Sequence, residues 1–461
     1  MSVLAAFLVP HPPMIVPQVG RGSEAQIAAT ASAYTQVAAE LAALEPETIV
    51  ISTPHSILYS DYFHISPGET ADGSFRAFGA PEIRFHETYD RELAEAIQRL
   101  ARANDLPAGT LGQREKDLDH GVMVPLYFIR RAYPAGRLVR IGLSGLPLTD
   151  HYALGRLIAR AAEETGRRVV YVASGDLSHK LQHYGPYGFA PEGPVYDQRL
   201  MDVCARAAFG ELLDFDEALC EKAAECGHRS FVMMAGALDG RAVEAKVLSH
   251  EDVTGVGYGV CAFYPKGPDE SRRFLDLHLA RLEAELAAQR DSADEYVRLA
   301  RQSLEHYVLR RERMAVPAGL PAPLRETRAG AFVSLHKFGK LRGCIGTILP
   351  TADCLAREIL DNAVSAAVRD PRFDPVRPDE LKWLEISVDV LGAPEPIDSP
   401  DRLDVKRYGV IVTSGGRKGL LLPDLEGVDT VEDQIAIARR KAGIGPNEPV
   451  KLERFSVTRH T

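Results

Sequence analysis

Four histidines in the N-terminal half carry side chains suited to chemistry, and each sits at a boundary between an apolar run and a turn. His11 lies in LVPHPPMIVP, just after the apolar residues 3–9. His55 follows the apolar run 48–52 in TPHS, and His179 closes SGDLSH after the apolar run 168–173. His120, in DHG, stands between a polar segment at 113–119 and an apolar stretch at 122–132. A fifth stretch, AAECGHRSF, sets Glu225, Cys226 and His228 together at the start of an apolar helix. Histidine, cysteine and carboxylate are the side chains that bind transition metals, and histidine moves protons near neutral pH. Two histidines and a carboxylate make the facial triad of non-haem Fe(II) oxygenases, while three such ligands plus water would serve a hydrolytic zinc. With Cys226 as a ligand the set is softer and suits copper(I) or zinc. No HExxH or CxxC motif fixes the metal. Each residue also has a plainer reading: His11 capping a strand, Cys226 a small buried residue, His228 a surface or packing residue. Asp176 either orients His179 or caps its turn. His64, His86, His151, His183 and His250 lack a motif and read as structural.

The elements around these residues explain how they can meet. Continuous apolar runs read as buried strands, and Pro10, Pro12 and Pro13 end the first of them because proline lacks an N–H and fixes φ. Parallel strands deliver their carboxyl ends to one edge of a sheet, where α/β folds bind ligands. Further strands are expected at 138–143, 242–249 and 257–264. Helices are expected at 23–44 (capped by Ser23), 90–104 and 152–165, with a turn at Asp72-Gly73. This alternation predicts an α/β domain over 1–265, a mixed sheet flanked by helices. The turn-rich stretch 265–270 is the expected boundary. A smaller α+β domain over 271–461 follows, opening with charged helical sequence at 271–312. It contains helices at 354–369 and 431–443 and a hairpin of 409–413 with 419–423.

The chain has 461 residues and a formal net charge of −10, which speaks against a general nucleic-acid binder. No apolar run reaches membrane-spanning length, and the N-terminus lacks the basic segment and cleavage site of a signal peptide. Six cysteines without regular spacing fit reduced thiols, and so a cytoplasmic protein.

The second domain has its own marked stretch, FVSLHKFGKLRGCIG, read as two strands around a lysine-rich turn. Cys344 lies between Gly343 and Gly346, and Arg342 would favour its thiolate if close. A nucleophilic cysteine wants a histidine, and His336 is the near candidate. The plainer reading is a buried cysteine in a tight hairpin. Asp370 is expected to pair with Arg369 or with this turn. Lys337, Lys340 and Arg342 form a small basic turn, the one feature that would favour nucleic acid.

HPP at His11, PHS at His55, DHG at His120, SGDLSH at His179 and ECGHRS at 225–230, in this order, resemble the LigB-like class III extradiol dioxygenases. The resemblance is closer to their Memo-like branch. It implies Fe(II) held by His11, His55 and a glutamate (Glu225, with Glu221 behind it), and His179 and His120 outside the ligand set. It further implies a catecholic substrate, dioxygen, and a neutral His179 exchanging the substrate proton. Memo-like relatives carry a cysteine near Glu225, which keeps Cys226 open as the alternative ligand. LRGCIG and its surroundings resemble the AMMECR family. The fusion of the two resembles the AmmeMemoRadiSam system protein A family, which implies a radical SAM protein as partner and, as an alternative function, a metal-binding or redox-regulatory module without ring cleavage. No CxxxCxxC is present, so the chain is not itself the radical enzyme.

Overall fold

The apolar runs without alternation become the central strands of the first sheet. The computed structural model describes residues 2–112, 117–425 and 427–461. Residues 113–116 of the segment expected to be extended lie outside the described residues. Strands β1 (Val3–Val9), β2 (Thr48–Thr53), β3 (Arg137–Gly142) and β4 (Val169–Ser174) are almost wholly buried. With β5 (Arg241–Glu251) and β6 (Tyr258–Pro268) they form one sheet in the order β3-β2-β4-β1-β6-β5. The first four strands are mutually parallel, and β6 and β5 close the sheet antiparallel. Side chains alternate across the pleat, so Phe7 and Leu8 enter cores on opposite faces. Burial on both faces is why these strands read as unbroken apolar runs. Helices α1 (Ala28–Leu44) and α3 (His120–Ala132) cover one face; α2 (Arg91–Ala103), α4 (Leu148–Thr165) and α5 (His228–Ala237) cover the other.

Three local expectations shift. Ser23 donates to the Gly20 carbonyl and opens a 3-10 turn, Ser23–Ile27, instead of capping α1. Asp72-Gly73 lies inside strand Thr70–Phe75, and the chain reverses later, at Arg76–Phe78 and Gly79 (φ 80°). Strand β6 continues through Pro265 to Pro268, where only β5 pairs with it, so the missing N–H groups face a sheet edge. The chain divides into two compact units at Leu279/Ala280, within helix Phe274–Ser292.

The second unit is α+β. Strands β7 (Ala331–Lys337), β8 (Lys340–Gly346), β9 (Leu384–Leu391), β11 (Tyr408–Ser414), β12 (Arg417–Leu421) and β13 (Lys451–His460) form a curled antiparallel sheet, ordered β8-β7-β9-β13-β11-β12. The short β10 (Glu395–Ile397) pairs with β13. Helices α6 (Glu295–Arg310) and α7 (Leu355–Val368) pack on Val333, Leu335 and Val388 of one face, and α8 (Val431–Lys441) packs at the other end of the sheet. No helix among the described residues is long and apolar enough to cross a membrane.

Candidate metal centre

The sheet order makes β2, β4 and β1 neighbours, so His55, Asp176 with His179, and His11 leave adjacent carboxyl ends. His11 is buried, and its backbone N–H donates to Asp176 Oδ1 at 2.8 Å. Tyr34 holds the same loop through the Pro10 carbonyl. The His11 ring is fixed by a chain of hydrogen bonds. Ser174 Oγ donates to the Gly121 carbonyl at 2.5 Å, so it accepts from His11 Nδ1 at 2.9 Å. That leaves the proton on Nδ1 and a lone pair on Nε2, the tautomer a metal ligand needs.

His11 Nε2 faces His55 Nε2 at 2.9 Å and Cys226 Sγ at 3.6 Å. Ligand atoms of His11, His55 and Cys226 all lie within 4.8 Å of one another, as do those of Asp176, His179 and Cys226. Metal–nitrogen bonds of about 2.1 Å and a metal–sulfur bond of about 2.3 Å put two nitrogens about 3 Å apart at a right angle, and nitrogen and sulfur about 3.6 Å apart near the tetrahedral angle. The two separations from His11 match and the third is within 4.8 Å, so the residues present fit one transition-metal ion.

Cys226 reaches the site because two loops touch at glycines. A Cβ on Gly175 would stand 2.1 Å from Gly227 Cα, so only glycine lets SGD and ECG approach this closely. The contact puts the Asp176 N–H 3.3 Å from Cys226 Sγ, a donor aimed at the sulfur. Glu225 turns away. Its Oε2 accepts the His228 N–H at 2.6 Å at the start of α5, which meets one of the unpaired donors of a helix N-terminus. Adjacent residues thus divide the two tasks: Cys226 lies with His11 and His55, and Glu225 is outside both ligand groups found among the described residues. His228 is a buried packing residue that joins Tyr196 and the Leu212 carbonyl.

His179 and His120 flank the cluster. His179 Nε2 and His11 Nε2 each lie 3.9 Å from Asp176 Oδ2. The Nε2 atom of His179 is buried with no hydrogen-bond partner among the described residues, and the Tyr187 ring stacks on the imidazole at 5.1 Å. His120 stacks on His55 at 4.0 Å. It opens α3, which Asp119 caps through the Val122 N–H. Burial lowers the pKa of His11, His55 and His179, and pushes His120 down to about 4. Burial also raises the Asp176 carboxyl to about 6, Glu225 to about 7, and the Cys226 thiol well above its usual value. Among the described residues the ion pairs of Asp176 are with histidines alone, His11 and His179, and a bound cation would supply the missing charge. Sequence reasoning left Asp176 between two minor roles and did not consider Ser174. The signal for both was their place at the carboxyl end of a central strand.

In the second unit the register shifts between Leu335 and His336, so Arg342 is the extra residue of a β-bulge. Its Nε and Nη2 donate to the two oxygens of buried Glu380, each at 3.0 Å, and Lys337 adds a third contact at 3.1 Å. Arg342 therefore serves Glu380, and the group beside Cys344 Sγ is Ser334 Oγ at 3.2 Å. Asp370 accepts the Cys344 N–H at 2.9 Å and holds Arg372 at 2.7 and 2.9 Å. Gly343 is the close approach of the motif, since a Cβ there would lie 2.3 Å from the Ala366 carbonyl oxygen of α7.

Comparison with known proteins agrees with this architecture. Residues 5–261 match the family described as "Catalytic LigB subunit of aromatic ring-opening dioxygenase", and residues 297–460 match AMMECR1. The chain belongs to the LigB family and carries an AMMECR1 domain. Protein CA_C1420 of Clostridium acetobutylicum is 40% identical over 100% of this chain and 99% of its own length. A Thermotoga maritima protein is 53% identical over 36% of this chain and 96% of its own length. Among solved structures, uncharacterized protein PH0010 of Pyrococcus horikoshii covers 37% of this chain and 91% of its own, at 33% identity and a TM-score of 0.35. Uncharacterized protein JW3007 of Escherichia coli K12 covers 57% and 99%, at 17% identity and a TM-score of 0.41.

Proposed function

We propose that the LigB unit is a metal-dependent oxidoreductase of extradiol dioxygenase type, acting on a small molecule with adjacent oxygens, in the cytoplasm. The observation that supports it is the convergence of His11, His55 and Cys226 at the carboxyl edge of parallel strands. These three are the proposed ligands. A thiolate carries the same single negative charge as the glutamate of the facial triad, so an Fe(II) site keeps its net charge. When bound, iron would hold the substrate oxygens and supply the redox chemistry with dioxygen.

The chain's own residues do the rest. His179 is neutral near pH 7, with Nε2 uncommitted among the described residues, and accepts the proton of a substrate hydroxyl. Asp176, 3.9 Å away, steadies the imidazolium that results. His120 stays neutral and fixes the His55 ring by stacking. Tyr187 covers the outer face of His179 and limits water there.

A second reading is favoured by Cys226 itself. A thiolate beside two imidazoles suits copper(I) or zinc, in a metal-binding or redox module that works with a radical SAM partner. Metal analysis of anaerobically purified protein, paired with oxygen uptake on a panel of catechols, separates the two. Stoichiometric iron with catechol-dependent uptake is expected. Copper or zinc with no uptake on any catechol would overturn the oxygenase reading and leave the second.

A further inference from the structure

The second unit holds a cleft of about 950 Å3, lined by sheet residues such as Phe332, Ser334 and Cys344 and by Val297 and Arg301 of α6. Register places Ser334 between Cys344 and Ser387, with Phe332 beside Asp389 and Asp389 beside Arg459. One part of the lining is apolar: Phe332, Leu420 and Leu422. The other part is polar and centred on Cys344, whose sulfur lies 3.2 Å from Ser334 Oγ. The cleft has the volume of a small-molecule site, mixed in the way such sites are: an apolar wall with a few convergent polar groups.

Its charge selects the ligand. Arg290, Arg301, Arg372, Lys441 and Arg459 line it with Glu385 and Asp389; Arg301, Arg372 and Arg459 pair with Glu305, Asp370 and Asp389, and Arg290 and Lys441 add positive charge beyond those pairs, in a chain of net charge −10. Arg459 and Arg372 are held rigid by two-point pairs with Asp389 and Asp370. Each pair uses Nε and Nη2, so the Nη1 edge of each guanidinium lies outside it. A rigid guanidinium with an edge outside its ion pair is suited to a carboxylate or a phosphate.

The geometry points to a second ligand site in this chain, separate from the metal centre: the AMMECR1 cleft binds an amphipathic small anion, its acyl or aryl body on Phe332, Leu420 and Leu422 and its carboxylate or phosphate among the arginines, directly over the Cys344 thiol. Bound ligand then shields Cys344 from solvent reagents. The partly buried Cys354 is absent from the lining and serves as the internal control.

The test is the rate of iodoacetamide alkylation at Cys344 and Cys354 in the full-length protein, resolved by fragment-ion mass spectrometry. Decanoate, decyl phosphate and decylamine are the probes. At a concentration ten times its dissociation constant, a shielding ligand slows Cys344 about ten-fold. Decanoate or decyl phosphate is expected to do this without slowing Cys354, and whichever acts at lower concentration identifies the head group. The double variant Arg290→Gln, Lys441→Gln is expected to need about ten times more of the same anion. Equilibrium dialysis with radiolabelled decanoate and decyl phosphate reads binding independently of thiol reactivity, and the double variant should bind correspondingly less. No protection and no binding by either anion would overturn the proposal. So would equal protection by decylamine, or a double variant indistinguishable from the native chain.

Discussion

The two units treat buried charge in opposite ways, and the contrast separates a candidate metal centre from a structural ion cluster. Glu380 has its counter-charges in the chain: two nitrogens of Arg342 and the Lys337 ammonium converge on its carboxylate. Burial alone would raise Glu380, but Arg342, the Arg377 N–H and Lys337 outweigh it and bring its pKa down to about 2. Beside His11, Asp176 pairs among the described residues with histidines alone. Asp176 and the Cys226 thiol are raised by burial, the imidazoles are lowered, and His179 Nε2 has no hydrogen-bond partner among the described residues. A charge set that closes on itself stabilises a fold, whereas one left open by a single cation is poised to bind one.

The largest expected effect lies on the open side. His11→Ala and His55→Ala should each weaken metal binding by about a hundred-fold or more while the circular dichroism spectrum persists, and Cys226→Ser should do nearly the same. Full metal content in these variants would erase the contrast. On the closed side, Glu380→Gln removes the buried acid between two half-buried cations, and should cost about 3 kcal/mol in urea unfolding. The sign of its pH dependence follows from the depressed pKa. The ionised carboxylate contributes stability above the unfolded glutamate value of about 4.3, and that contribution is lost as pH falls toward about 2. The native chain should therefore lose stability across that window more steeply than the variant, and equal slopes would show that the cluster carries no charge linkage. His179→Ala should leave metal content within about three-fold of native and lower turnover, since its proposed role is proton transfer. The smallest effect is assigned to Glu225→Gln. Metal content should be unchanged, and stability should fall by about 1 kcal/mol through the weakened contact with the His228 N–H. Loss of metal there would return the ligand role to the glutamate.

Much of the first unit was legible because it obeys local rules. The runs at 3–9, 48–52 and 168–173 are too apolar for anything but strands buried on both faces, and proline or polar residues at their ends fix where they stop. The apolar stretch at 122–132 is helical, and α3 begins two residues before it, at His120, where Asp119 caps it. The turn expected at Asp72-Gly73 failed because that reading treated glycine as a turn residue, whereas here the glycine packs closely against Met123 and Leu118.

Sequence by itself determined which residue types stand at the ends of the parallel strands, and that two units of different class follow one another. It could not show which of Glu225 and Cys226 lies beside His11 and His55. They are neighbours in the chain, and their placement rests on a contact between Gly175 and Gly227, whose loops lie far apart in sequence. It could not place Arg342 either, because a single extra residue in β8 changes the side to which a side chain points, and nothing in the local composition marks that bulge. Tertiary structure decided both, since which face a residue presents depends on the packing of distant segments against it.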